Sequence, residues 1–237
     1  MKITSQHNQR LKEIRKLRMR RRARERAKRF VAEGEDLIAA ADAAGWHAEE
    51  RYCAAGSGLS GTEVEPKLLT SASGLASGTR MLAVYEERWA PQPLGPLCVY
   101  LHGVQDPGNV GTILRAAQAF GASSVALGTG SADPFSPKAV RASMGAVFGV
   151  PLARAPDAGL LPGAKVALVA GLGRPLSEAP EMPEATVLIG AEREGLPTEL
   201  VEQADHVAHI PIQSESLNAA MAATVALYEL TRMAAER

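Results

Sequence analysis

The chain has 237 residues, 46% hydrophobic and 22% charged, which is enough for one large domain or two modest ones, each with its own core. No window approaches ~18 consecutive apolar residues, which excludes a membrane-spanning helix, and the basic N-terminus has no apolar h-region, so no secretory signal is expected. Only Cys53 and Cys98 are present; they make neither a disulfide framework nor a zinc cluster, and reduced thiols in a cytoplasm are expected. The formal net charge of zero conceals an asymmetry, since residues 1–95 carry net +5 and residues 96–237 net −5. Within residues 1–29 there are 13 basic side chains against Glu13 and Glu25, so two modules are expected, one of which meets a polyanion.

From Asn8 to Arg29 the run NQRLKEIRKLRMRRRARERAKR has no Pro or Gly, and Leu11, Ile14 and Leu17 recur at helical spacing. This predicts one basic amphipathic helix. Phe30 and Val31, followed by the alanine-rich EDLIAAADAA, predict a second helix ending near Gly45. Residues 54–78 give little periodic signal, and MLAVYEE (81–87) reads as a strand. Three prolines in APQPLGP (90–96) mark the domain boundary, separating residues 1–90 from residues 97–237.

Beyond it, short apolar strands alternate with helices. Strands are predicted at 97–104, 123–128, 147–153, 165–171, 186–190 and 206–212. Helices are predicted through Phe120, over 136–146 and from Leu217 to Arg237. Continuous apolar strands with intervening helices predict an α/β fold with a mostly parallel sheet, whose ligands sit beyond the carboxyl ends of the strands.

Three strand exits hold the candidate chemistry. In DPGNVGTILRAAQAFGA (106–122), Asp106-Pro107-Gly108 makes a turn and Asn109 is typed to cap the helix. With Val110 at zero and about 100° per residue, Ile113, Leu114, Ala117 and Phe120 fall within about 80° of it, and Arg115 about 140° away, off the core face. In LIGAEREGLP (188–197), Gly190 ends a strand, Glu192 follows, and Gly195 and Pro197 tighten the loop. Glycine there permits close approach of backbone to a ligand. In HIPIQSESLNAAMAATVALYEL (209–230), Pro211 interrupts the strand exit and Leu217-Asn218 opens a helix. Leu217, Met221, Thr224 and Tyr228 line one of its faces, and Ala219, Ala223, Ala226 and Leu230 nearly the opposite one, which predicts burial on both sides, one against a partner subunit. Gly108/Gly111 and Gly171/Gly173 do not complete a dinucleotide-binding fingerprint, which argues against a nicotinamide enzyme. His102 and His209 lie in strand-like runs and are expected to be structural. No metal site is visible.

Together, DPGNVGTILRAA, LIGAEREGL, and IPI followed by SLN resemble the three signature motifs of the SpoU (TrmH-like) branch of the SPOUT RNA methyltransferases, over roughly residues 97–235. SPKAVRASMGAVFGVP (136–151) resembles the family's connecting segment. Residues 1–90 more loosely resemble the small α/β substrate-binding domain of many members. The resemblance implies a trefoil knot made by threading the segment near 186–220, S-adenosylmethionine as cofactor, methylation of a ribose 2′-hydroxyl of RNA, and a homodimer. It assigns Gly190, Ile210 and Leu217 to the cofactor, and Asn109, Arg115, Glu192, Ser216 and Asn218 to the polar active site. Arg115 matches the residue assigned to activating the hydroxyl; a guanidinium stays protonated, so orienting the hydroxyl and the adjacent phosphate suits it better than proton abstraction. One departure is that only Gln213-Ser214-Glu215 separates the I-P-I and S-L-N elements, where the family commonly has a longer, glycine-containing stretch.

Arg10, Lys12, Arg15, Lys16, Arg18, Arg20, Arg21 and Arg22 in the basic helix are expected to contact RNA phosphates, supplying affinity more than sequence choice. The two-module layout favours ribosomal RNA, of the large subunit, over tRNA. A non-catalytic RNA-binding or ribosome-assembly factor on the same scaffold is the alternative, and it would lack cofactor affinity.

Overall fold

The computed structural model describes residues 2–75 and 78–235. Helix α1 (Gln9–Met19) starts at Asn8, whose side chain accepts from the Arg10 N–H, and buries Leu11, Ile14 and Leu17. The single long basic helix read from the sequence is two helices: Arg20 is extended, at φ −128° and ψ 112°, and α2 (Arg21–Ala27) follows, ending at Lys28 with φ 55°. Phe30 and Val31 belong to strand β1 (Arg29–Glu33) rather than to a helix. These β-branched and aromatic side chains are placed where a pleated, buried surface suits them. Helix α3 (Glu35–Ala43), strands β2 (Glu50–Ala54) and β3 (Thr62–Val64), helix α4 (Pro66–Ala72) and strand β4 (Met81–Glu86) complete the first half. Thus the aperiodic stretch 54–78 contains a short strand and helix.

The second half runs β5 (Leu97–Leu101), α5 (Pro107–Ala119), β6 (Ser124–Leu127), α6 (Pro137–Ala142), α7 (Ala146–Gly149), β7 (Leu152–Arg154), β8 (Ala164–Leu168), β9 (Arg174–Pro175), β10 (Ala185–Ile189), α8 (Thr198–Glu202), β11 (His206–His209) and α9 (Ala219–Ala235). Three predicted elements differ. The helix over 136–146 stops at Ala142, because Met144 and Gly145 take positive φ of 50° and 97°. The strand over 147–153 is divided between α7 and β7, since an apolar run alone does not separate a buried helical turn from a strand. The final helix begins at Ala219 rather than Leu217, and the last two residues of its predicted span lie outside the described residues.

Two compact units result, one of residues 1–88 with Asp133–Gly149, the other of Trp89–Ala132 with Val150–Arg237. In the first unit a sheet of order β1-β4-β2-β3 packs Val31, Tyr52, Leu82 and Val84 against Leu11, Ile14 and Leu17 of α1 and Leu69 of α4. Segment 133–149 supplies Phe135 and Phe148 to an aromatic cluster with Phe30, Trp46 and Tyr85. Phe30 and Phe135 are 4.7 Å apart and Tyr85 and Phe148 5.1 Å, and the Trp46 indole N–H donates to the Phe148 carbonyl at 2.9 Å. Arg24 of α2 is buried and pairs with Asp133 at 2.7 Å, also donating to the Leu17 carbonyl. Glu33 at the end of β1 is buried among donors: Arg18 Nε, the Ser73 hydroxyl and the Gly74 N–H.

The second unit is built on a sheet of order β7-β6-β5-β10-β8-β11-β9, and the registered pairs are parallel. The late strand β10 lies between β5 and β8, with Ala185 facing both Leu97 and Ala164. Cys98, Tyr100, Ala126, Ala167 and Leu188 form one buried cluster, against which Leu196 and Leu200 pack. Helices α5 and α9 pack side by side; α9 buries Ala219, Ala220, Ala223, Ala226 and Leu227 and exposes Met221, Val225 and Tyr228. Among the described residues no helix is long and apolar enough to cross a membrane. Both cysteines are buried as free thiols.

Candidate active site

Because the strands are parallel, their carboxyl ends share one side of the sheet. Ile189 at the end of β10 is level with Leu101 at the end of β5, and the His102 N–H donates to the Ile189 carbonyl at 2.9 Å. The loops after β5 and β10 therefore leave the sheet side by side. The Val169 N–H donates to the Ala208 carbonyl at 2.9 Å, so the exits of β8 and β11 are likewise adjacent.

Asp106, not Asn109, caps α5: its carboxylate accepts from the Gly108 and Asn109 N–H groups at 2.6 and 3.0 Å. Pro107 fills the first helical position, where a missing N–H is harmless. A carboxylate suits the positive end of the helix dipole, and this arrangement releases the Asn109 amide from capping. Its Nδ2 donates to Glu192 Oε1 at 2.5 Å, and its Oδ1 accepts from Asn218 Nδ2 at 3.1 Å. Asn218 in turn caps α9, its Oδ1 accepting from the Ala220 and Met221 N–H groups at 2.9 and 3.4 Å. The cap consumes the Asn218 oxygen and turns its NH2 toward Asn109, so each amide in the chain has one orientation. One residue from each motif enters this chain.

The loop after β10 folds back on itself, Ala191 and Gly195 exchanging backbone hydrogen bonds at 3.1 and 3.0 Å. A Cβ at Gly190 would lie 2.2 Å from the Gly195 carbonyl carbon, so that position accepts no side chain without moving backbone, and Gly195 itself has φ 69°, where a side chain is strained. Beside this hairpin is a cavity of about 400 Å3 lined by Leu168 at the end of β8, Val169 and Ala170 after it, Ile189 to Leu196, Ile210 and Ile212 after β11, and Glu215, Ser216, Leu217, Ala219 and Ala222. The volume falls in the ~300–1,000 Å3 range of small-molecule sites.

Of the residues singled out in the sequence, Gly190, Glu192, Ile210, Ser216 and Leu217 line the cavity, and Asn109 and Asn218 join it through Glu192. Arg115 does not: it is exposed on α5, about 9 Å along the axis and about 120° around it from Asn109. It forms no hydrogen bond or ion pair among the described residues. Sequence reasoning missed the wall contributed by Leu168 and Val169, whose signal was the exit of an apolar strand at Ala170-Gly171. It also missed Glu194 and Glu215, which read locally as ordinary loop charges. His102, partly buried at the end of β5, lies 3.3 Å from the Tyr100 hydroxyl, and burial pushes its pKa below the ordinary value. Burial pushes the Cys98 thiol up, in keeping with an unreactive packing role.

The basic segment of the first unit divides in two. Lys12, Lys16, Arg20 and Arg22 are exposed and make no ion pair among the described residues. Arg10 approaches Glu50 at 3.7 Å, Arg21 pairs with Glu25 at 2.8 Å, and Arg15 donates to the Gln6 carbonyl and the Ser71 hydroxyl. Arg18 leaves the expected RNA-facing set. Its side chain is only 13% exposed and its guanidinium is held by Glu33 and the Ala72 carbonyl, because a buried carboxylate needs a charged partner.

A parallel α/β sheet whose strand exits build one cavity beside a fixed amide–carboxylate chain has the layout of a small-molecule-binding α/β protein. The model of the SpoU rRNA methylase family matches residues 96–228, and that of an MRM3-like substrate-binding domain matches residues 8–90. The chain belongs to the SpoU rRNA methylase family. It is 29% identical, over 96% of its length and 98% of the relative's, to the 23S rRNA (guanosine(2553)-2′-O)-methyltransferase RlmP of Bacillus subtilis. It spans about half the length of several further curated relatives. Among solved structures, the AdoMet-bound rRNA methyltransferase of Sinorhizobium meliloti superposes with a TM-score of 0.86 at 30% identity, covering 98% of both chains. The SpoU methyltransferase AviRb of Streptomyces viridochromogenes, in complex with AdoMet, does so with a TM-score of 0.86 at 28% identity, covering 97% of this chain and 99% of its own.

Proposed function

We propose that the protein transfers a methyl group from S-adenosylmethionine to a ribose 2′-hydroxyl of ribosomal RNA, in the large subunit. The observation that carries this is the hydrogen-bonded chain Asn218–Asn109–Glu192, which joins three distant motifs beside the cavity. The cavity's size, its glycine-tight hairpin and its carboxylate-bearing rim fit a bent, positively charged cofactor. Gly190, Ile210 and Leu217 hold it through main-chain and apolar contacts. When bound, it supplies an electrophilic methyl carbon.

Asn109, Glu192, Ser216 and Asn218 orient the ribose, since a fixed dipole array costs no reorganisation at the moment of reaction. Arg115 stays protonated; it orients the hydroxyl and the adjacent phosphate, and the proton passes to that phosphate or to water. The first unit binds RNA through Lys12, Lys16, Arg20 and Arg22, with Arg10, Arg15 and Arg21 at the margin. Met221, Val225 and Tyr228 form an uncovered apolar face on α9, which a second copy of the chain covers in a homodimer. Insertion of β10 between β5 and β8 is in keeping with a chain threaded as a trefoil knot over 186–220. The large-subunit target is supported by the named Bacillus subtilis relative, and a cytoplasmic location follows from that substrate.

Incubation with tritiated S-adenosylmethionine and ribosomal RNA tests the proposal. Label resistant to base and released as a 2′-O-methylnucleoside supports it, and loss of label in Arg115→Ala supports the role of that residue. Labelled bases instead of ribose, or full activity in Arg115→Ala, would reject the respective assignment.

A further inference from the structure

The charge on the cavity rim has a consequence for which form of the cofactor it holds. Among the described residues, Glu192, Glu194 and Glu215 line it against the single cation Arg193. Glu192 is engaged by Asn109, whereas Glu194 and Glu215 make no hydrogen bond or ion pair among the described residues. They approach from separate segments. Glu194 stands on the hairpin closed by the Ala191–Gly195 bridge. Glu215 precedes Ser216 in the shortened loop, in which residues 215–217 all line the cavity. With only Gln213 and Ser214 between Ile212 and Glu215, the loop has little slack with which to carry the carboxylate away.

We propose that Glu194 and Glu215 act as an electrostatic selector that favours the sulfonium donor over its neutral thioether product. This rests on the cofactor reading given above. In the transfer, the carbon–sulfur bond breaks and a carbon–oxygen bond forms; sulfur keeps the bonding pair and becomes neutral, and the hydroxyl proton departs. Donor and product therefore share the adenosine, ammonium and carboxylate groups and differ by one methyl group and one positive charge. The apolar wall of Leu168, Val169 and Leu217 holds the shared parts and cannot separate the two. A negative rim does, and its preference disappears when the methyl group leaves, so the spent cofactor is released. At a partly wet rim each carboxylate is expected to contribute about three- to fivefold to the donor-to-product affinity ratio.

Titration calorimetry on the full chain tests this with S-adenosylmethionine, S-adenosylhomocysteine and sinefungin, whose amine replaces the sulfonium by another cation. In the double variant Glu194→Gln/Glu215→Gln, the S-adenosylmethionine to S-adenosylhomocysteine affinity ratio should fall about tenfold, with S-adenosylhomocysteine binding within twofold of wild type. Sinefungin should follow S-adenosylmethionine, and raised salt should lower the ratio in wild type but little in the variant. Glu199→Gln, a charge change outside the cavity, should leave the ratio unaltered. An unchanged ratio, or equal weakening of donor and product in a variant with wild-type melting temperature, overturns the selector while leaving the cofactor site intact. Failure of wild type to bind any of the three overturns the cofactor reading and the selector with it.

Discussion

Asn109 and Glu192, 83 residues apart in the chain, are joined by a hydrogen bond of 2.5 Å from the amide to the carboxylate. The first-turn position of Asn109 on α5 and the hairpin position of Glu192 belong to segments that follow neighbouring parallel strands. Removing either partner should misplace the other. Asn109→Ala and Glu192→Ala are each expected to lower the methylation rate on the order of 10²-fold, with a melting temperature within a few degrees of wild type because Glu192 is exposed and Asn109 only half-buried. A double-mutant cycle should show strong non-additivity; independent effects would disconnect the pair.

Asn218 combines two tasks that substitutions can separate. Asn218→Ala removes the α9 cap, at a cost of about 0.5–2 kcal/mol, together with the amide donated to Asn109. Asn218→Asp keeps a capping oxygen but sets a carboxylate against the Asn109 oxygen. Thermal unfolding should therefore recover in Asn218→Asp while methylation stays low. Recovery of both would mean that the amide donation is unimportant.

The first unit is not complete at residue 90. Arg24 is buried against Asp133, and Phe135 and Phe148 fill its aromatic cluster. Asp133→Ala leaves a buried guanidinium without its carboxylate and should destabilise by about 3–5 kcal/mol, measured by urea unfolding. A fragment of residues 1–90 should show broad, non-cooperative unfolding. A sharp transition in that fragment would contradict the assignment of residues 133–149 to this core.

Exposed and engaged basic side chains of the same segment should respond differently. Lys12→Glu/Lys16→Glu should weaken RNA binding and flatten its dependence on salt by about one to two units of log–log slope, with stability unchanged. Arg18→Ala should chiefly lower stability, since it takes from the buried Glu33 its hydrogen-bonded cation and leaves it the more distant Arg141 at 3.8 Å. If Arg18→Ala changed the salt slope as much as the lysine pair, Arg18 would be a phosphate contact after all.

Burial holds His102 below its ordinary pKa of 6.5, so the folded protein keeps the ring neutral while the unfolded chain takes up a proton as pH falls through that value. The contribution of the neutral ring is complete above pH 6.5 and declines below it. Urea midpoints between pH 8 and pH 5 should fall more steeply in wild type than in His102→Gln. Parallel curves would show that His102 is not the titrating group.

Local chemistry was legible where a signal is local. The three motifs, the glycine-bearing hairpin at Gly190, the buried face of α1 and the parallel sheet could be read directly, because periodicity of 3.6 or continuous apolar runs reflect which side of an element meets a core. Turn and cap chemistry was less determinate. Asp106 and Asn109 are both good caps, and only the position of Glu192 and Asn218 around the first turn of α5 decides which of them caps and which binds.

Sequence alone determined that this chain has a basic first part, a strand–helix second part and three polar strand exits of one family's type. Tertiary structure decided which charges are spent inside and which face outward: Arg18 and Arg24 look like Lys16 and Arg22 in the run, but Glu33 and Asp133 take them into the first unit. It likewise decided that residues 133–149 fold with the first unit, and that Glu194 and Glu215 share one rim. The physical reason is that hydrophobic pattern is a property of a segment, whereas the partner of a charge or an amide is set by segments far away, brought near by burial that no local window contains.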